Sequence, residues 1–311
     1  QSMIGPAERL PHQACLSEAQ CEGVRRFVAA GGGLVATLET SRYDEEGRSR
    51  NEFALGDVFG VSALSNTPHG PVRNAYIRIE RREALAQGFE GTAVISAPEI
   101  HFCPVKIMGA ADTQLTLIPP IPHMPPERAF FRVSKTDTPL ALTSNYGRGR
   151  AAYFPCDLAR MCGAYNNPDH RRLLANAVRW ALGAPCILGL NGPGLLDIHL
   201  YRQPRRYLIH MVNCTNPNLF RPPATEITPV GAQELTLRLR KGETVNRARL
   251  LWRDEEIGVA SKDSVATAVV PEVRAYEVVV LELAEPLPCK RRREMMGDTS
   301  AAIRSALGEE R

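Results

Sequence analysis

Hydrophobic periodicity changes character near residue 190, and that switch constrains the fold more than any other feature of the chain. Before it, short apolar runs alternate with segments of helical spacing, which is the grammar of an α/β layer. After it helical spacing disappears. Leu196, Ile198 and Leu200 alternate with Asp197, His199 and Tyr201, and Leu235, Leu237 and Leu239 alternate with Thr236 and Arg238. Residues 247–252, 265–270 and 276–283 continue the series, so a run of short strands with turns between them predicts an antiparallel β-sandwich. At 311 residues the chain is long enough for two domains, each with its own core.

Local signals place the elements of the first half. Ser17-Glu18-Ala19-Gln20 has the capping-box pattern, in which the Ser oxygen and the Gln side chain satisfy exposed backbone donors. Cys21, Val24, Phe27 and Val28 then recur at helical spacing until Gly31-Gly32-Gly33 stops the helix. Leu34-Val35-Ala36-Thr37-Leu38 follows as a buried parallel strand and 39–51 as a loop. Further on, 150–154 reads as a strand and 155–167 as a loop. Asn167 caps a second helix with Pro168 in its first position. Leu173, Leu174, Ala177, Val178 and Ala181 form its apolar face, and Gly183 with Pro185 ends it. Residues 76–79, 93–95 and 114–117 read as strands, and 119–126 as a proline-rich loop.

Charge and cysteine usage exclude several classes of function. With 38 Lys+Arg against 34 Asp+Glu the net charge is +4, and no basic stripe interleaved with aromatics points to nucleic acid. No apolar run reaches the roughly 18 residues of a membrane span and no signal peptide precedes the first helix, so no membrane partner and a cytoplasmic location are expected. The eight Cys are scattered without a C-x-x-C pair, as structural thiols in a reducing compartment are. No cofactor motif is present.

Several strings resemble a known pattern when taken in order. They begin with Leu10-Pro11-His12-Gln13-Ala14-Cys15-Leu16-Ser17 and Gly31-Gly32-Gly33-Leu34-Val35-Ala36-Thr37-Leu38-Glu39-Thr40-Ser41. Phe53-Ala54-Leu55-Gly56-Asp57-Val58-Phe59-Gly60-Val61, Gly147-Arg148-Gly149-Arg150, Tyr153-Phe154-Pro155-Cys156-Asp157 and Leu173-Leu174-Ala175-Asn176-Ala177-Val178-Arg179-Trp180 follow. Gly192-Pro193-Gly194-Leu195 through Val212-Asn213-Cys214-Thr215-Asn216-Pro217 looks like the start of the sandwich. Over most of residues 8–285 the chain resembles the trimerisation domain of family 42 β-galactosidases and related glycoside hydrolases, a class I glutamine-amidotransferase-like fold, with the β-sandwich that follows it.

The resemblance implies a flavodoxin-like α/β domain over 1–187, an antiparallel β-sandwich over 188–288 and a charged tail over 289–311. It implies a homo-oligomer, a trimer, with carbohydrate as a possible partner. In such enzymes a catalytic (β/α)8 barrel precedes this region, and a barrel of about 250 residues has no room here. The match begins beside a middle strand, so the α/β domain is expected to be incomplete at its start, with residues 1–9 too few to replace the opening segment. The chain then reads as the carboxyl-terminal, non-catalytic accessory and oligomerisation part of a glycoside hydrolase of carbohydrate metabolism. The alternatives are a free-standing amidotransferase-like hydrolase, a sugar-binding module, or a structural scaffold.

An active amidotransferase places a Cys on a sharp strand-to-helix turn flanked by glycines. The corresponding turn here, Thr37-Leu38-Glu39-Thr40-Ser41, has no Cys, with Glu39 near the nucleophile's place, and 154–164 has no His-x-Glu pair. No catalytic residue is therefore assigned. Glu39, Thr40, Tyr43 and Asp157 fall near the carboxyl ends of strands, where open α/β sheets bind ligands, and are candidates for a pocket or a subunit contact. The competing reading for these four is turn and cap chemistry. Cys156, Cys162 and His170 are too loosely spaced and too few for a structural zinc site, so no metal is expected. His12, His101 and His123 read as loop packing. Asp44-Glu45-Glu46 are adjacent in a loop, not facing each other across a sugar as glycosidase carboxylates do. Asn213-Cys214-Thr215 fits a glycosylation sequon that lacks a secretion signal.

Overall fold

A computed structural model describes residues 7–121, 125–215 and 226–284. The chain divides into two compact units between Pro185 and Cys186.

The first unit runs β1 (Ala7–Pro11), α1 (Glu18–Ala29), β2 (Gly33–Thr37), α2 (Gly56–Phe59), β3 (Val61–Ala63), β4 (His69–Ile79), β5 (Val94–Phe102), β6 (Val105–Ile107), β7 (Asp112–Ile118), β8 (Pro139–Tyr146), β9 (Gly149–Phe154), α3 (Leu158–Tyr165) and α4 (Pro168–Leu182). Seven of the strands form one sheet in the order β1-β2-β9-β8-β7-β4-β5, and β3 pairs with β6 apart from it.

Both expected helices form on their caps. At α1 the Gln20 N–H donates to Ser17 Oγ at 3.2 Å and the Ser17 N–H to Gln20 Oε1 at 2.8 Å. At α4 the Asn167 side chain accepts from the Asp169 N–H at 2.9 Å, and Gly183 closes the helix in the left-handed region. All five residues of β2 are buried, because helices cover both faces of the sheet there. Val35, Ala152 and Phe154 share one apolar cluster with Leu173, Ala177 and Ala181 of α4. Leu34, Ala36 and Tyr153 share another with Cys21 and Val28 of α1 and Phe59 of α2. The layers meet at glycines: a Cβ on Gly149 would lie 2.1 Å from the Val28 carbonyl oxygen, and one on Gly33 2.4 Å from that of Ala181.

Three expectations are corrected. The sheet is mixed and β-rich, where a flavodoxin-like layer was expected. Only β1-β2-β9 run parallel, and β9-β8-β7-β4-β5 are antiparallel. Tight turns such as Gly147-Arg148 between β8 and β9 join neighbours without the crossover a parallel pair needs. Second, the sequence predicts no strand before α1, and the structure has one. β1 pairs in parallel with β2 from Ala7 opposite Gly33 to Pro11 opposite Thr37. It forms the sheet edge, where Pro is tolerated. Third, the expected loop 155–167 contains α3.

The second unit contains only strands among its described residues: β10 (Leu188–Asn191), β11 (Leu196–Gln203), β12 (Arg206–Asn213), β13 (Gln233–Arg238), β14 (Val245–Leu250), β15 (Glu255–Ile257), β16 (Val259–Lys262), β17 (Val265–Val270) and β18 (Tyr276–Leu283). They make two antiparallel sheets, β10-β13-β17-β16 and β11-β12-β18-β14-β15. Ile209, Met211, Leu235, Leu237, Val279 and Leu281 belong to the core cluster of this unit. The expected tail 289–311 lies outside the described residues. No helix among the described residues is long and apolar enough to cross a membrane.

Candidate functional site

A cavity of about 310 Å³ opens at the carboxyl ends of the parallel strands. β2 ends at Thr37, and Leu38 turns the chain with φ 52°. Two bonds hold it there: its N–H donates to the Phe154 carbonyl at 2.7 Å, and its own carbonyl accepts from the buried Tyr153 hydroxyl at 2.5 Å. His12, one residue past β1, has φ 51°, and its N–H donates to Thr37 Oγ1 at 2.9 Å. Ser41 completes the turn at φ 68°. Non-glycine residues rarely occupy this region, and two of these, His12 and Leu38, line one cavity.

These turns place Glu39 and His12 together, with His12 Nε2 3.2 Å from Glu39 Oε2. The Tyr43 hydroxyl donates to Glu39 Oε1 at 3.0 Å. Burial, then that bond and the charge on Glu39, push the Tyr43 hydroxyl up, so it remains the donor. Asp157 and His101 form a second pair at the same cavity. Asp157 begins α3 without making a capping bond. Its Oδ1 accepts the His101 N–H at 3.1 Å, and its Oδ2 lies 3.0 Å from His101 Nδ1 and accepts Arg160 Nε at 2.5 Å. Burial opposes the charge on Arg160, but its bond to Asp157 and that residue's charge outweigh it and raise the guanidinium. Arg160 is tied further by a bond from Nη2 to the Glu99 carbonyl at 3.0 Å.

An ionised carboxylate can only accept, so the ring nitrogens that face the two carboxylates, Nδ1 of His101 and Nε2 of His12, are the donors. Each pair thus fixes which edge of the imidazole is turned to the carboxylate. Thr37 is the only hydroxyl among the residues lining the cavity. The Cys103 thiol is pushed up to about 12 by burial, then by the charge of Glu39, and stays protonated. The arrangement supplies oriented imidazoles and carboxylates, not an activated thiolate.

Of the four expected residues, Glu39 and Asp157 line the cavity and Tyr43 supports Glu39. Thr40 is fully buried and locks the turn through Oγ1, 3.0 Å from the Leu10 carbonyl and 2.8 Å from that of Thr37. His12 and His101, read as loop packing, belong to the cavity instead. Their one sequence signal is position just past an apolar run or beside a strand end. His123 lies outside the described residues.

The remaining candidates have other partners. His170 is buried with Nε2 donating to the Ser96 carbonyl at 2.8 Å, and Cys156 Sγ lies 3.5 Å from the Leu140 carbonyl. Among the described residues no three His, Cys, Asp or Glu are placed to hold a metal ion. Asp44 accepts the N–H groups of Glu46 and Arg48 within its loop. The Asn213 amide donates to the carbonyls of Thr228 and Arg274.

Comparison with protein-family models gives no match, and neither does comparison with curated protein sequences. Solved structures do match. α-L-Fucosidase isoenzyme 2 from Paenibacillus thiaminolyticus is 17% identical with a TM-score of 0.66, covering 90% of this chain and 41% of its own. A β-galactosidase from Bacillus circulans sp. alkalophilus is 17% identical with a TM-score of 0.56, covering 88% and 33%. A catalytic mutant of a GH42 β-galactosidase from G. stearothermophilus is 16% identical with a TM-score of 0.54, covering 90% and 32%. The chain therefore spans less than half the length of these structures, and its fold is related to part of a glycoside hydrolase.

Proposed function

We propose that this chain is a non-catalytic accessory and oligomerisation region of a glycoside hydrolase. Its first unit would serve as an amidotransferase-like trimerisation domain. The observation that carries the reading is the coverage: about nine-tenths of this chain corresponds to only 41%, 33% and 32% of those three enzymes. The site supports it. Glu39 and Asp157 are each committed to an imidazole, whereas glycoside hydrolysis needs one carboxyl free as acid and another as base or nucleophile. The turn after β2 carries Leu38 and Glu39 where an amidotransferase needs a thiolate.

Two measurements on the full chain test this. Incubation with p-nitrophenyl β-galactoside and p-nitrophenyl α-fucoside is expected to release no nitrophenol above the blank. Light scattering is expected to give about three times 34.2 kDa. Hydrolysis would overturn the non-catalytic part, and a monomer at all concentrations would overturn the oligomeric part.

A further inference from the structure

We propose that the cavity at the carboxyl ends of β1, β2 and β9 binds a small neutral polyol the size of a single sugar ring. The inference goes beyond the accessory role and does not depend on it. Its first support is the hydrogen-bonding character of the lining. His12 turns Nε2 to Glu39 and His101 turns Nδ1 to Asp157, which leaves Nδ1 of His12 and Nε2 of His101 for a ligand. A hydroxylated ring, whose hydroxyls both donate and accept, suits such a wall.

Charge and shape narrow the class. Two carboxylates, Glu39 and Asp157, stand at the wall against one guanidinium, Arg160, which disfavours anions. Leu38, Pro68 and Ala159 make an apolar wall. The C–H face of a sugar would cover it, whereas a small ammonium ion would leave it wet. The volume of about 310 Å³ sits at the lower end of small-molecule sites, which run from about 300 to 1,000 Å³. The rim is also built in advance. His12 and Leu38 hold left-handed conformations, and Leu38 is fixed at both its N–H and its carbonyl. A preformed wall lowers the ordering penalty of binding.

The test is isothermal titration calorimetry of the full chain with D-galactose and with L-fucose, beside ethylammonium and inorganic phosphate. Saturable one-site binding of at least one sugar is expected, with no comparable binding of the other two probes. His101→Gln and Glu39→Gln should each weaken it by about tenfold or more. His12→Ala is the further variant, because a half-exposed side chain at the rim does not carry the core. In proton NMR the ring C–H signals of His12 and His101 should shift on titration while those of His199 and His210 in the sandwich stay still. Absence of binding by both sugars, preference for ethylammonium or phosphate, or binding unchanged in the folded variants would each overturn the proposal. Glycosidase activity or a monomeric mass would overturn the accessory reading alone, and the histidine signals would still decide this site.

Discussion

Strands β2 and β13 solve the same problem in opposite ways. Every residue of β2 is buried, whereas β13 alternates strictly between buried and exposed. The first lies between two helical layers and the second has one face on a core and one in water. The difference determines where polar chemistry can stand. Strands covered on both faces have no room for a functional side chain along their length, so the polar groups collect past their ends, Glu39 after β2 and Asp157 after β9. Along β13 every second position is open to solvent, and Glu234, Thr236 and Arg238 stand there.

Substitutions can break or sharpen that contrast. In β9 the neighbours Tyr153 and Phe154 are both fully buried but belong to different clusters. Tyr153→Ala and Phe154→Ala should each remove about 3–5 kcal/mol in urea denaturation, since both faces are core. A silent member of the pair would mean one face of the sheet is open. Gly149→Ala should remove about 1–3 kcal/mol, because the new methyl would meet the Val28 and Gly32 carbonyls and force the backbone apart. In β17 the effect should alternate. Val270→Ala, with no exposed surface, should lose about 2 kcal/mol, while Val269→Ala, which is 53% exposed, should stay within about 0.5 kcal/mol. Equal losses there would break the comparison from the other side.

Acid gives a smaller test. Burial raises the Glu243 carboxyl, but bonds from Arg202 at 2.6 Å and the Tyr207 hydroxyl at 2.7 Å outweigh it, so the group is lowered overall. A carboxyl lowered in the folded state stabilises fully above its unfolded value near 4.5, and that contribution is lost as pH falls through the folded value. Glu243→Gln should therefore remove about 1–2 kcal/mol at pH 7, with the gap closing as pH falls below the unfolded value and through the lowered folded one in pH-dependent melting. A gap that persists in acid would assign the loss to packing. The smallest effect is Asn167→Ala, about 1 kcal/mol from the lost cap of α4, read as a drop in melting temperature.

Elements specified by neighbouring residues were legible in the sequence. The caps at Ser17 and Asn167 and the alternation of β11, β13 and β17 depend only on nearby side chains. Elements specified by distant contacts were not. β1 carries Arg9 and Pro11 and is a strand because β2 lies beside it. β8 hides buried Thr143 and Ser144 within an apolar run, and they are satisfied by Gln114 at 2.8 Å and the Val58 carbonyl at 2.6 Å. The site divides in the same way. A strand-end rule finds Glu39 and Asp157, but no local spacing links residue 12 to 39 or 101 to 157. Those pairings follow from β1 lying next to β2 and from the path of the chain after β5.

The left-handed turn at His12 has a consequence for directed evolution. A non-glycine side chain there is strained by about 1–2 kcal/mol, and the half-exposed imidazole regains little of that by burial. A library selected only for heat resistance should replace His12 early, with Asn or Gly, and gain stability. The same replacement strips Glu39 of its imidazole partner. Thermal hardening and an intact cavity mouth thus pull this position in opposite directions, and retention of His12 under a combined selection would record which of the two the chain requires.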